Sequence, residues 1–308
     1  MVAAGVEATY VIGADVGGTK IAAAVVDCES RIVRRLERPT PRSSTADFLV
    51  ALEATVEELL AGGDVAALGF GIPATIDQKR GRAITAPNLP LEDFAFREAM
   101  KERFELPVAI DNDANAAAIA EWAVGAGRGT SNMVMLTLGT GVGGGLILDG
   151  RPYRGSVGAA AELGHIVIQH DGPRCQGVCT GRGHLETLAS GTAAGKIARD
   201  VIGPDANAHD LVRAAQEGND AARDALAEIG RRLGSGIGSL VNIFDPEVVV
   251  IGGGFAAAGD LVLDPAREIV RREALEPARS LVRIVPAELG AEAGVVGAAL
   301  VAFEALEA

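Results

Sequence analysis

The sequence predicts an α/β protein of two domains, on the basis of three observations. Short β-type segments alternate with longer segments of helical periodicity along most of the chain. The length of 308 residues suits two domains of ~150 residues each. A strand, a glycine-rich turn and a second strand follow one another twice, at residues 11–27 and 133–150. Strands joined by crossover helices pair in parallel, so we expect mainly parallel, buried sheets.

The individual elements follow from local patterns. Short apolar segments predict strands at residues 10–16, 21–27, 31–37, 65–72, 108–111, 133–138, 146–148, 247–251 and 282–285. Apolar residues at helical spacing predict helices at residues 46–60, 91–103, 114–124, 261–275 and 294–306, and over most of 184–244. Gly62 and Gly63 end the first of these helices.

Composition excludes several classes of protein. Lys and Arg number 28 against 41 Asp and Glu, a net charge of −13, so the chain has no electrostatic footprint for nucleic acid or an anionic membrane. No apolar segment approaches the ~20 residues of a membrane span. Three cysteines, an odd number, argue against a disulfide framework. We therefore expect a cytoplasmic protein.

Three glycine-rich turns follow predicted strands, at residues 15–19, 139–145 and 252–254. Their amides can point at phosphate oxygens. The Gly139, Gly141, Gly144 spacing matches a dinucleotide-binding fingerprint, but a strand follows instead of the required helix. The phosphate-loop spacing from Gly13 to Gly18 fails for the same reason. Two phosphate-binding hairpins remain, with ordinary hairpins containing glycine bulges as the alternative.

Asp113 lies where a predicted strand ends and a predicted helix begins, directly after Asp111 and Asn112. Ligands bind at the carboxyl ends of strands in open α/β sheets, and a carboxylate there can accept a proton from a substrate hydroxyl. Aspartate is also a preferred helix N-cap, and this local evidence favours the cap.

A dense cluster of metal-ligand residues lies within residues 162–186. Cys and His at such short spacing are typical of tetrahedral zinc, and four protein ligands would make the site structural. The candidates are His165, Cys175, Cys179 and His184, with His170 as a spare. Such a site would order the loop and position Glu162 and Glu186. Two reduced surface thiols beside unrelated histidines are the alternative.

Taken together, these motifs resemble the ROK (repressor, ORF, kinase) family of sugar kinases, and within it the glucokinases. The resemblance covers essentially the whole chain and is carried by the order of its motifs: residues 15–20, 71–73, 86–89, 112–116, 138–145, 162–165, the His/Cys segment and 251–254.

The resemblance implies an α/β, actin-like (ribonuclease H-like) ATPase fold, duplicated into two domains around a central cleft. The expected domains are residues 1–112 with 294–308, and residues 113–293 with the zinc loop. It implies Asp113 as catalytic base, and sugar binding by Asn112, Asp113, Glu162, His165 and Glu186. Nucleotide binding falls on Asp15, Gly17, Gly18, Thr19, Lys20, Thr140, Gly141, Gly253 and Gly254, with Asp15 organising Mg²⁺. Zinc falls on His165, Cys175, Cys179 and His184.

Two positions depart from the family pattern. The family usually has Cys-x-Cys-Gly-x-x-Gly-Cys-x-Glu, whereas here His184 takes the place of the third cysteine. Ala74 follows Pro73 where glycine is usual near the sugar. These departures bear on zinc affinity and on the identity of the sugar.

The expected activity is ATP-dependent phosphorylation of glucose at the 6-hydroxyl, by a homodimer. The alternatives are a kinase for mannose, N-acetylmannosamine, N-acetylglucosamine or allose, and a non-catalytic sugar-sensing ROK protein. Nothing in the residues excludes polyphosphate or ADP as the phosphoryl donor. A repressor needs a DNA-binding module, for which about nine residues before the first predicted strand leave no room.

Overall fold

A computed structural model describes residues 9–177 and 179–307, except for the side chain of Glu307. The chain folds into two compact units. Among the described residues the first unit comprises 9–124, 154–160 and 291–307, and the second comprises 125–153 and 161–290. This division by contacts places residues 113–124, 154–160 and 291–293 in the first unit, whereas the boundaries expected from the sequence were 1–112 with 294–308, and 113–293. No helix in the described ranges combines the length and the apolar character that a membrane span requires.

The first unit is built on a five-stranded sheet flanked by helices. Its sheet strands are β1 (Tyr10–Val16), β2 (Lys20–Asp27), β3 (Ile32–Pro39), β4 (Ala67–Ile72) and β8 (Val108–Asn112). Three further strands, β5 (Thr75–Asp77), β6 (Arg82–Ala86) and β7 (Leu91–Phe94), form a small separate sheet. The helices are α1 (Thr45–Leu60), α2 (Phe96–Phe104), α3 (Asp113–Val124) and α10 (Ala293–Glu307).

The second unit repeats this plan. Its sheet strands are β9 (Met133–Leu138), β10 (Val142–Leu148), β11 (Arg151–Pro152), β12 (Val248–Gly252) and β13 (Arg283–Pro286). The helices are α4 (Leu185–Ala189), α5 (Gly191–Val201), α6 (Ala208–Gln216), α7 (Asp220–Phe244), α8 (Asp260–Glu273) and α9 (Ala278–Leu281). Short 3₁₀ turns lie at Leu163–His165 and Gly254–Ala258, and a third, Gly290–Glu292, lies where the chain passes from the second unit to the first.

The two five-stranded sheets have the same topology, which confirms the predicted duplication. Their strand orders are β3-β2-β1-β4-β8 and β11-β10-β9-β12-β13. In each, three strands joined by hairpins pair antiparallel, and two more add in parallel. The expectation of mainly parallel sheets was therefore wrong. The glycine-rich turns are too short for a crossover, so the strands that they join must run antiparallel.

Helix α10 lies close against the first sheet because glycines face it. A methyl group at Gly13 of β1 would lie 2.3 Å from the carbonyl oxygen of Val295, and one at Gly69 of β4 would lie 1.9 Å from that of Ala298. Val295, Ala299 and Ala302 pack there against buried residues of β1, β2 and β4. Helices α1 and α2 contribute to a separate apolar cluster with these strands and β8. The sheet is thus covered by helices on both faces.

The sequence missed the small sheet. Residues 91–103 were predicted to form one helix, but residues 91–94 form β7, which pairs with β6, and α2 begins at Phe96. Leu91 and Phe94 are three residues apart, a spacing that also fits one turn of a helix, and four residues are too few for periodicity to decide, which explains the error.

Candidate active site

In the first unit, polar side chains gather at the carboxyl ends of parallel strands. Asp15 of β1 pairs with Gly71 of β4, and Gly71 pairs with Asp111 of β8. A methyl group at Gly71 would lie 3.6 Å from the Cα atom of Asp113, so Asp113 lies beside the strand that pairs with Asp15. Asp113 is the first residue of α3. Because parallel strands end at the same edge, β1 and β8 bring two carboxylates together there.

The environment of Asp15 reflects this arrangement. Burial and, after it, the negative charge of Asp113 together raise the pKa of Asp15 to about 6, against the opposing effects of Lys20 and Arg35. A methyl group at residue 294 would lie 2.3 Å from Oδ2 of Asp15, so Gly294 leaves space for the carboxylate. Two carboxylates that repel each other in a partly buried site suit a hard cation with oxygen ligands. The residues present therefore fit Mg²⁺.

Asn112, not Asp113, caps helix α3. Oδ1 of Asn112 accepts hydrogen bonds from the backbone amides of Ala114 at 2.9 Å and Asn115 at 3.2 Å. Nδ2 of Asn112 donates to the carbonyl oxygen of Ala74 at 3.3 Å. Oδ1 of Asp113 accepts from the adjacent Ala114 amide at 2.9 Å. The N-cap, which local sequence evidence assigned to Asp113, therefore belongs to the preceding residue.

The β1–β2 turn presents backbone amides. Gly17 N donates to the carbonyl oxygen of Lys20 at 2.9 Å, and the Thr40 hydroxyl donates to Gly17 O at 2.7 Å. Within the described part of the chain, the amides of Gly18 and Thr19 donate to no other protein group. Such a turn has the geometry of an anion-binding site. Nζ of Lys20 lies 3.0 Å from a carboxylate oxygen of Glu37 at the surface.

In the second unit, two of the predicted nucleotide residues line a cavity of about 480 Å³. Thr140, in the turn between β9 and β10, and Gly254, after β12, both line it. The other lining residues are Gly139, Gly191, Thr192, Gly195, Arg199, Asn207, Ala208, His209 and Phe255. This is a suitable volume for a small organic ligand, and Arg199 gives it a cation.

Gly141 and Gly253 are not among the residues that line this cavity, and other contacts explain them. Gly253 has a φ of 85°, and a methyl group there would lie 2.5 Å from Leu138 O. A methyl group at Gly141 would lie 2.4 Å from Oε2 of Glu186. Gly141 therefore allows the buried Glu186 carboxylate to approach the glycine turn.

The structure brings together all four predicted zinc ligands. One donor atom each from His165, Cys175, Cys179 and His184 lies within 4.8 Å of the other three. Nδ1 of His165 is 3.1 Å from Nδ1 of His184, and Sγ of Cys175 is 3.6 Å and 3.2 Å from these two atoms. Tetrahedral zinc, with bonds of about 2.0–2.1 Å to nitrogen and about 2.3 Å to sulfur, places its ligands about 3.3–3.8 Å apart. The cluster therefore fits zinc.

Two glutamates adjoin this cluster. The Cys175 thiol donates to Oε1 of Glu186 at 2.9 Å, and burial followed by this bond raises the pKa of Cys175 to about 12. A bound cation reverses that preference, because the thiolate is the ligand. Nε2 of His165 lies 3.9 Å from Glu162, whose side chain is 57% exposed. His165 thus has one nitrogen in the cluster and the other toward Glu162. His170 is 93% exposed and is not part of the cluster.

Comparison with known proteins places the chain among sugar kinases. The ROK family model matches residues 11–305. The chain belongs to the ROK family. It is 37% identical to a glucokinase of Streptomyces coelicolor, over 95% of this chain and 97% of that protein. A crystal structure of a ROK glucokinase from Streptomyces griseus, in complex with glucose and AMPPNP, is 36% identical and superposes with a TM-score of 0.85, covering 96% of this chain and 99% of that one. The ROK hexokinase from Thermus thermophilus is 37% identical with a TM-score of 0.84, covering 97% and 99%.

The sequence motifs did not identify every residue that lines the cavity beside Thr140. Arg199 and His209 line the 480 Å³ cavity, yet they come from α5 and α6 and belong to no motif. The pattern around His209 signals only a helix start: Asn207 and Asp210 form a capping box. Tertiary packing alone brings these side chains to the glycine turn.

Proposed function

We propose that this ROK protein transfers the γ-phosphoryl group of ATP to the 6-hydroxyl of glucose. The observation that carries the proposal is the position of Asp113 beside Asp15 at the carboxyl ends of parallel strands, with helix capping left to Asn112. The glucokinase similarity over nearly the whole chain favours glucose as the acceptor.

Asp113 is the proposed general base. As the 6-hydroxyl oxygen of the sugar bonds to the γ-phosphorus, its proton passes to the Asp113 carboxylate. The bond between the γ-phosphorus and the bridging oxygen breaks, and ADP leaves with that electron pair. The hydrogen bond from the Ala114 amide fixes one carboxylate oxygen of Asp113. Catalysis here consists largely of positioning the hydroxyl and the base.

The remaining sugar contacts are assigned by type of hydrogen bond. Asn112, Glu162, His165 and Glu186 would each hold a sugar hydroxyl. The Cys175 thiol holds the carboxylate of Glu186. Ionised carboxylates accept hydrogen bonds and donate none, so Glu162 and Glu186 suit the hydroxyl groups of a sugar as donors. Ala74 remains a reason to test sugars other than glucose.

The glycine turns are the proposed phosphate sites. Amides of Gly18 and Thr19, in the turn that the bond from Gly17 N to Lys20 O closes, and of Thr140 and Gly141 would donate to phosphate oxygens. The cavity beside Thr140 and Gly254 would hold the nucleoside, and Gly253, with its positive φ, would direct the backbone into Gly254. Asp15 would hold Mg²⁺, which supplies positive charge to the phosphates when bound. His165, Cys175, Cys179 and His184 would hold a structural zinc ion.

An ADP-release assay across a panel of sugars tests the proposal. We expect the highest kcat/KM for glucose with ATP. Mannose, allose, N-acetylglucosamine and N-acetylmannosamine test the alternative acceptors, and polyphosphate and ADP the alternative donors. A product that is not a 6-phosphate, or no turnover with any sugar, would reject it. Light scattering on the same sample tests the homodimer, and cell fractionation the cytoplasmic location, both of which stay predictions.

A further inference from the structure

The buried carboxylate of Asp111 lies directly before the proposed base region. Its side chain is 1% exposed. Oδ1 accepts hydrogen bonds from the Asn112 amide at 2.8 Å, from Nδ2 of Asn115 at 3.1 Å and from Nε2 of Gln78 at 3.2 Å. The first two donors lie on either side of Asp113 in the sequence. Asp111 therefore ties the end of β8 to the first turn of α3 across that residue.

Arg154 neutralises this carboxylate. Nε of Arg154 lies 2.6 Å from Oδ2 of Asp111, and Nη2 lies 2.9 Å from Oε2 of Glu304 in α10. Arg154 itself is 23% exposed, whereas Glu304 is 46% exposed. A buried carboxylate without its cation must be protonated or draw in water, and either change disturbs the groups that it holds.

The residues around Arg154 give it a fixed place in the first unit. Residues 154–160 pack there although the chain on both sides belongs to the second unit. Gln78 N donates to Val157 O at 3.3 Å, and a methyl group at Gly158 would lie 2.3 Å from Ile76 O. Gln78 also donates to Asp111, so the segment is linked to this carboxylate from two directions.

We infer that Arg154 is a positioning residue for Asn112 and Asp113, acting through Asp111. The inference rests on the proposed function and adds to it a residue that no motif identified. Loss of the guanidinium would shift the Asn112–Asn115 backbone and with it the proposed base and sugar contact. A displacement of 1 Å can cost ~10²-fold in rate.

Steady-state kinetics of Arg154→Met test the inference. We expect kcat to fall 10- to 100-fold, the KM for glucose to rise severalfold, and the KM for ATP to stay within twofold, because the proposed nucleoside cavity lies in the second unit. A variant that merely lost folded protein would show lower turnover with both KM values unchanged. Arg103→Met is the matched control: it removes another arginine of the first unit that pairs with two carboxylates, Glu53 and Glu57. We expect it to leave all three constants unchanged.

The double variant Asp111→Asn/Arg154→Met tests whether the pair acts as a unit. It removes the uncompensated charge, so we expect it to be no slower than Arg154→Met alone. Three results would overturn the inference. The losses of kcat in Asp111→Asn and in Arg154→Met could multiply in the double variant. The kcat of Arg154→Met could lie within threefold of that of the unmodified protein, or its KM for glucose could be unchanged. Arg154→Gln gives the same readouts if the methionine variant does not fold. If the unmodified protein does not phosphorylate glucose, the proposed function fails, and these variants are measured with the hexose that it does phosphorylate.

Discussion

At the scale of single residues, a variant of Asp113 distinguishes the phosphoryl-transfer step from the binding of glucose. Asp113→Asn keeps the size of the side chain and a carbonyl oxygen that can accept from Ala114 N. We expect kcat to fall by ~10²–10⁴, with the dissociation constant for glucose changed by less than a few fold, because only the proton acceptor is lost. Turnover and calorimetric binding on the same preparation check this. Near-normal turnover would remove Asp113 from the mechanism.

Asp15 gives a pH dependence of stability with a definite sign. Its pKa is about 6 in the folded protein and 3.8 as the ordinary value, so its favourable contribution is complete below pH 3.8 and is lost as the pH rises through 6. Asp15→Asn removes the ionised form. We expect this variant to raise Tm at pH 7.5 by a few degrees, measured without Mg²⁺, and the gain to vanish near pH 4.

Asp27 is a control for that experiment, because its pKa is shifted in the opposite direction to that of Asp15. Burial alone would raise the pKa of Asp27, but hydrogen bonds from Arg31 and from the Glu29 amide outweigh it, and the pKa is lowered. We therefore expect Asp27→Asn to lower Tm at pH 7.5 and to have little effect in acid. An equal Tm difference for Asp15→Asn at both pH values would contradict the carboxylate interaction.

At the scale of elements, the loop from His165 to His184 depends on its proposed metal. Residues 166–183 have few regular elements, and hydrogen bonds such as that from Gln169 N to Gly183 O at 3.1 Å hold them. We expect a chelator to remove one zinc ion per chain, lower Tm and raise the KM for glucose. Elemental analysis and thermal unfolding check this.

Variants of His184 make the test specific. His184→Ala should abolish stoichiometric zinc, whereas His184→Cys should retain it, because a thiolate is also a zinc ligand. His170→Ala is the control, since this histidine is exposed outside the cluster. Full zinc content in His184→Ala would show that His184 is not a ligand.

The elements also show what a sequence can predict. The hairpins and the His/Cys cluster are local patterns, in which spacing along the chain decides spacing in space. By contrast, strands β5 to β7 are three to five residues long, too short for periodicity to identify. Arg154, Arg199 and His209 carry no local signal, because distant segments bring them to their partners.

At the scale of the whole molecule, the duplication of the sheet could be predicted from the sequence. The division of the chain between the two units could not. The hairpin turns recur in the sequence as a recognisable pattern, whereas no pattern in the sequence indicates that α3 packs against α10. A methyl group at Gly297 would lie 1.8 Å from Ala116 O, which records how closely these helices approach. Such a contact depends on small residues 181 positions apart, and a single sequence does not pair them.

Truncation tests the dependence of the first unit on α10. Deleting residues 291–308 would expose the face of the sheet that Val295, Ala299 and Ala302 cover. We expect the product to lose cooperative thermal unfolding in its first unit, measured by circular dichroism. Deleting only residues 305–308 is the control, since Leu306 is already 41% exposed. A full-length-like transition after the longer deletion would contradict this packing.

The discontinuity of the first unit has a consequence for synthesis. Strands β1 to β4 leave the ribosome early, but the helix that covers one of their faces, α10, follows about 220 residues after β4. At ~5–20 residues per second, synthesis of the residues between Ile72 and Ala293 takes about 11–44 s. During this interval the apolar face of the sheet is available to chaperones, and the first unit cannot complete its packing until α10 has been synthesised.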